Sequence, residues 1–263
     1  MIRVLVDACL LVKGNVSNVL FDLGRAGLIS LHWTPEIGTQ FIKNWAERRV
    51  EGEIKRRSDS SEPLLTPGEK SSLEAASRNK ASVRLGKFEL MAPEWRIPGW
   101  NVAAVRAAHS KSSLGVGKRG GTGVHSGDYE VALAAIRLAE IFPGDDIWLA
   151  TENIHHLPPA VLQPFNVWSL HQGLLLETLY ASSPGKVRNS LETTLADTGK
   201  NGNAKLEKID MIGILSNPQE FFSHALATSL SKAWGINMPT NGAAFVKKNK
   251  IRNAEEDGPA PAP

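Results

Sequence analysis

The sequence predicts an α/β fold, a central parallel sheet flanked by helices and followed by a helical C-terminal extension. Three observations predict it. Residues 2–6, IRVLV, are a continuous aliphatic run closed by Asp7, the pattern of a central parallel strand buried on both faces. Strand-like and helix-like segments then alternate in the order β-α-β-α. Further on, the apolar run IWLAT ends in Thr151-Glu152-Asn153. Polar groups are thereby delivered to a C-terminal strand end, where α/β proteins build their sites.

Each element has its own signal. Val19, Leu20 and Leu23 have helical spacing, and Gly27 suits a helix end. LISLHW (28–33) reads as a second strand. Thr34-Pro35-Glu36 supplies an N-cap, a proline at the first helical position and an acidic first turn, opening a helix to about Arg49. From about 52 to 87 the chain is polar, with GEKSSLEAASRNKASV as an exposed helix. FELMAPEWRIPGWNVAAVRAAHS then returns apolar and tryptophan side chains to the core. SKSSLGVGKRGGTGVHSG is a glycine-, serine- and base-rich loop. It lacks the G-x-x-x-x-G-K-[ST] pattern of a phosphate loop. Val131, Ala134, Ala135 and Leu138 form a helical stripe ended by Pro143-Gly144, and FNVWSL is a last strand. Residues 173–232 are mainly helical, broken near 199–203 and at Pro218, and the Pro-Ala-rich tail is expected to be disordered. The expected organisation is an α/β domain over 1–172, an extension over 173–240 and a tail over 241–263.

Composition narrows the function classes. With 42% hydrophobic and 22% charged residues among 263, a packed core is expected and wholesale disorder is not. No apolar run reaches the roughly 18 residues of a membrane span. Asp7 interrupts the N-terminal apolar run, so a signal peptide reads poorly there. The single cysteine, Cys9, excludes an internal disulfide framework and a multi-cysteine metal site. A soluble, cytoplasmic protein is expected. The net charge of +3 and pI of about 9.0 are compatible with a polyanionic partner.

Carboxylates and amides stand where an α/β site needs them: Asp7 after the first strand, Glu36 and Gln40 one turn apart on a helix, Asp128 opening a later helix, and Glu152 and Asn153 after a later strand. Hard divalent cations take oxygen ligands, commonly a few carboxylates with water and substrate phosphate. The pattern therefore points to metal-assisted phosphodiester chemistry. Other candidates weigh less. His155-His156 reads as a surface loop, and His125 lies three residues before Asp128. Cys9 reads as a small packing residue, Asp145-Asp146 as a turn, and no G-x-S-x-G elbow supports a serine hydrolase.

VLVDACLLV, LISLHWTPEIGTQFIKNW, GDYEVALAAIRLAE and IWLATENIHHLPPAVLQPFNVWSLH occur in the order found in PIN-domain proteins of the VapC-like toxin ribonuclease group, which residues 1–50 and about 125–180 resemble. The resemblance implies a Mg²⁺- or Mn²⁺-dependent endoribonuclease, the toxin of a bacterial toxin–antitoxin pair, with RNA as substrate, an antitoxin protein as partner and a homodimer as assembly. It implies Asp7 as first metal ligand, Asp128 as third acidic residue and metal ligand, Asn153 at the fourth position, and Thr151 and Glu152 in support. Lys111, Lys118 and Arg119 in the glycine-rich loop are placed to track the RNA backbone. The departure is at the second acidic position, where the helical glutamate falls on Gln40. An amide oxygen can ligate but carries no negative charge. Three readings are open. Glu36 substitutes from one turn away, a shift of about 5–6 Å; the chain binds RNA or a partner without cutting; or the glutamine was introduced to tame a toxic nuclease.

Overall fold

A computed structural model of the chain describes residues 1–116, 122–198 and 205–236. Four strands form one all-parallel sheet in the order β2-β1-β3-β4: β1 is Ile2–Val6, β2 Ser30–His32, β3 Asp146–Ala150 and β4 Val167–Leu170. β1 is central, with Val4 opposite both Leu31 and Trp148, and Val4, Leu5 and Val6 are buried as their unbroken apolar run predicts. The α/β class with helices on a parallel sheet is thus observed.

Helices α1 (Ala8–Leu11) and α2 (Gly14–Arg25) connect β1 to β2. α3 (Pro35–Asp59) begins as the sequence predicts: Thr34 Oγ1 accepts the Ile37 N–H at 3.3 Å, with proline in the first turn. It runs ten residues past Arg49, because Glu53 pairs with both Arg56 and Arg57 and holds the polar end helical. α4 (Pro67–Met91) opens on a Thr66/Glu69 capping box and packs back along α3 as a helical hairpin. The polar 52–87 stretch is therefore mostly helix. A Cβ at Gly38 would sit 3.0 Å from Leu85, which marks the close approach of the two helices.

The following segment re-enters the core. Trp95 stacks on Trp33 (centroids 4.9 Å apart), Phe88 stacks on Phe21 (4.4 Å), and Ile97 and Val105 of α5 (Val102–Ala108) are buried. α6 (Tyr129–Ile141) is apolar nearly all round and lies against the sheet. The short α7 (Pro159–Leu162) leads to β4.

Beyond β4, helices α8 (Gln172–Ser182), α9 (Pro184–Asp197), α10 (Lys208–Ser216) and α11 (His224–Trp234) follow, broken at Pro218 as expected. One hydrophobic cluster runs through both the α/β part and these helices. α9 packs on α2, where Thr194 Oγ1 donates to Asp22 Oδ2 at 2.6 Å in a buried contact. The tail (241–263) and the break near 199–203 lie outside the described residues. Among the described residues no helix is long and apolar enough to cross a membrane.

Candidate functional site

The chain leaves β1 for β2 on one side and later crosses back to β3 on the other. In parallel α/β sheets ligands bind in the crevice beyond the C-terminal strand ends at such a reversal. Asp7 follows β1 and Thr151 follows β3, and the ladder holds both: the Asp7 N–H donates to Ala150 O at 3.1 Å and the Thr151 N–H to Leu170 O at 3.0 Å. Their side chains then meet. Thr151 Oγ1 donates to Asp7 Oδ2 at 2.7 Å, and Cys9 Sγ donates to the same oxygen at 3.1 Å.

Thr151 is fully buried and Asp7 only 3% exposed. Burial raises the Asp7 carboxyl above the ordinary carboxylate range; the Thr151 and Cys9 donors oppose this, and the charge of Asp128 adds to it. Asp7 and Asp128 therefore stand within electrostatic reach of each other. Burial and the Asp7 charge push the Cys9 thiol well up, so at neutral pH it is a thiol and no nucleophile.

Asp128 closes a 3₁₀ turn, Ser126–Asp128, and is the N-cap of α6, as Asp7 is of α1. Neither side chain makes a capping hydrogen bond to its own helix. Asp128 Oδ2 lies 3.1 Å from His156 Nδ1 and 3.5 Å from His125 Nδ1. Among the described residues neither Asp7 nor Asp128 is ion-paired to a lysine or arginine.

The other predicted residues are placed as follows. Glu36 and Gln40 share a face of α3 and line a cleft of about 320 Å³ with Lys43, Arg78, Gly127 and Glu130. Gly127 of the Asp128 turn contributes to this lining, but neither Asp128 nor Asp7 does, so Glu36 and Gln40 are not brought together with either carboxylate. The Trp100 indole N–H donates to Glu36 Oε2 at 2.9 Å, which ties Glu36 down. The Asn153 N–H donates to Thr151 Oγ1 at 3.0 Å and its carbonyl accepts from the His156 and Leu157 N–H groups, so its backbone shapes the turn that carries His156. Lys111 is exposed, its ammonium 5.9 Å from the Tyr129 ring centre. Lys118 and Arg119 lie outside the described residues.

Glu152 has a structural environment. It is ion-paired with Lys13, and Gln172 Nε2 donates to it at 3.1 Å. Lys13 also donates to Gln219 O and Gln172 to Glu220 O, so this network clasps the loop before α11 against the strand ends. A Cβ at Gly173 would fall 1.9 Å from Phe221 O, so only glycine admits the loop this closely. Lys13 and Gln172 escaped sequence reasoning. The available signal was that a carboxylate at a buried strand end needs a cation, and Lys13, the N-cap residue of α2, lies six residues beyond Asp7 after the neighbouring strand.

Mg²⁺ and Mn²⁺ are held in phosphodiester-cleaving sites through one or two carboxylates, with water and phosphate completing the shell. Asp7 and Asp128 are two such carboxylates, and among the described residues neither is paired with a lysine or arginine, so the donor chemistry fits. Gln40 adds an amide to the adjoining cleft and no charge. No protein-family model, no curated protein and no solved structure matches the chain.

Proposed function

We propose that the chain is a divalent-metal-dependent endoribonuclease with a PIN-like fold, acting in the cytoplasm as the toxin of a toxin–antitoxin pair. The observation that carries this reading is the gathering of two carboxylates at the β1/β3 reversal: Asp7 is bonded to Thr151 just after β3, and Asp128 lies beside His156 of the same loop, neither with a lysine or arginine partner among the described residues. A Mg²⁺ or Mn²⁺ ion bound there supplies an activated water and offsets charge on the phosphate. The chain's own part is positioning. Thr151 and Cys9 fix the Asp7 carboxylate through Oδ2. Lys43 and Arg78 along the adjoining cleft, with Lys111, offer cations to the RNA backbone. The parallel sheet and its order are compatible with a PIN-like domain.

A second reading is favoured by one observation: Gln40 lines the cleft where an acidic residue is expected, and Glu36 is engaged by Trp100. On that reading the same crevice binds RNA or a partner protein without cutting. Mn²⁺ titration followed by calorimetry, with and without Asp7→Asn, separates the two. The nuclease binds Mn²⁺ through Asp7, and the binding module shows no Mn²⁺ affinity that depends on Asp7.

A further inference from the structure

The side chains around Asp128 describe a second kind of metal chemistry. His125, Asp128 and His156 each offer one ligand atom, and the three atoms lie within 4.8 Å of one another. Two edges of that triangle are 3.1 Å (His156 Nδ1 to Asp128 Oδ2) and 3.5 Å (His125 Nδ1 to the same oxygen). Ligands about 2.1 Å from a tetrahedral centre lie about 3.4 Å apart, so these edges bracket the spacing of a loaded site.

The triangle is pre-set by backbone. The His125 N–H donates to His156 O at 2.8 Å, joining the two loops, and the Asp128 N–H donates to His125 O at 3.0 Å. The His125 and His156 rings stack with centroids 4.4 Å apart and planes 19° apart, which holds the two imidazoles side by side. The Gly127 N–H now donates to His125 Nδ1 at 3.2 Å, and that bond is exchanged for the metal on loading. The Asp128 side chain is 11% exposed and His125 55%, so the carboxylate is buried while the open side faces water. Two imidazoles and one carboxylate with open positions suit a borderline transition metal far better than Mg²⁺.

We propose that His125, Asp128 and His156 form a binding site for a borderline divalent transition metal such as Zn²⁺ or Co²⁺. The site rests on the geometry around Asp128 alone and stands whether or not the chain cuts RNA.

The test is titration of the chelator-stripped full chain with Co²⁺, read by its visible absorption bands, and then displacement by Zn²⁺ followed by calorimetry. No RNA is present, so the result does not depend on nuclease activity. His125→Ala and His156→Ala are each expected to weaken Zn²⁺ binding tenfold or more, and the double variant to abolish the Co²⁺ bands. His155→Ala, an exposed neighbour, is expected to leave both unchanged. The hydrogen bonds that join the two loops are main-chain, and circular dichroism checks that the histidine variants keep the fold. Absence of Co²⁺ bands in the unsubstituted chain, or bands and Zn²⁺ affinity that survive the double substitution, would overturn the site.

Discussion

Replacing Asp7 by asparagine separates what this carboxylate does for stability from what it does for metal binding. Asparagine keeps the shape and an acceptor oxygen for Thr151 and Cys9 and drops the charge. Two effects oppose each other in the metal-free protein. Relief of a buried carboxylate with no cationic partner contributes on the order of 1–3 kcal/mol. The Thr151 hydrogen bond, now to a neutral acceptor, weakens by about 1 kcal/mol. Loss of repulsion from Asp128 acts in the first direction. The net expectation is a gain of about 1 kcal/mol at pH 7, or a rise of about 2–4 °C in Tm for a chain of this size. Divalent metal reverses the order. A cation at one hundred times its Kd stabilises the native state by about 2.7 kcal/mol, and the unsubstituted chain alone gains it in full. Thermal unfolding in EDTA and again in Mn²⁺ measures both halves. An asparagine variant less stable than the parent in EDTA would refute the burial argument. An equal Mn²⁺ increment in both chains would refute Asp7 as a ligand.

Other consequences are open to simple measurement. Buried His32 accepts contacts from Ser30 Oγ (3.1 Å) and Arg3 Nη1 (3.3 Å) at Nε2, and burial first, then the Arg3 charge, lowers it from 6.5 to about 4. A lowered imidazole contributes stability that is complete above pH 6.5 and lost as pH falls from 6.5 to 4, on the order of 3 kcal/mol. Urea midpoints across that range should fall in the parent and flatten in His32→Gln; an unchanged acid limb would assign the loss elsewhere. Thr194→Val removes a buried hydrogen bond to Asp22 and should cost about 1.5–3 kcal/mol in a single cooperative transition. Two separate transitions would show that the C-terminal helices fold apart from the sheet, against the continuous core.

Much of the frame was legible because its signals are local. The unbroken IRVLV run, the Thr34-Pro35-Glu36 start and the Val131/Ala134/Ala135/Leu138 stripe each fix an element by burial or capping, and the structure has those elements. The end of α3 was harder to read. Residues 50–59 show little apolar periodicity, and their helix depends on Glu53 meeting Arg56 and Arg57 and on α4 lying alongside. At the site, Asp7 and Thr151 could be placed at strand ends, but their hydrogen bond depends on β1 and β3 being neighbours, a relation across 144 residues. The union of His125 with His156 through Asp128 is likewise tertiary, as is the clasp of Lys13, Glu152 and Gln172.

The central claim is cleavage, and the most direct measurement is digestion of a mixed RNA substrate in Mg²⁺ or Mn²⁺ by the chain, by Asp7→Asn and by Gln40→Glu. Metal-dependent cutting that Asp7→Asn abolishes and EDTA stops is the expected result. Gln40→Glu is expected to raise the rate tenfold or more, because it adds a charge to the cleft that the Asp128 turn lines through Gly127. Cleavage indifferent to Asp7→Asn, or no cleavage by any of the three chains, would contradict it.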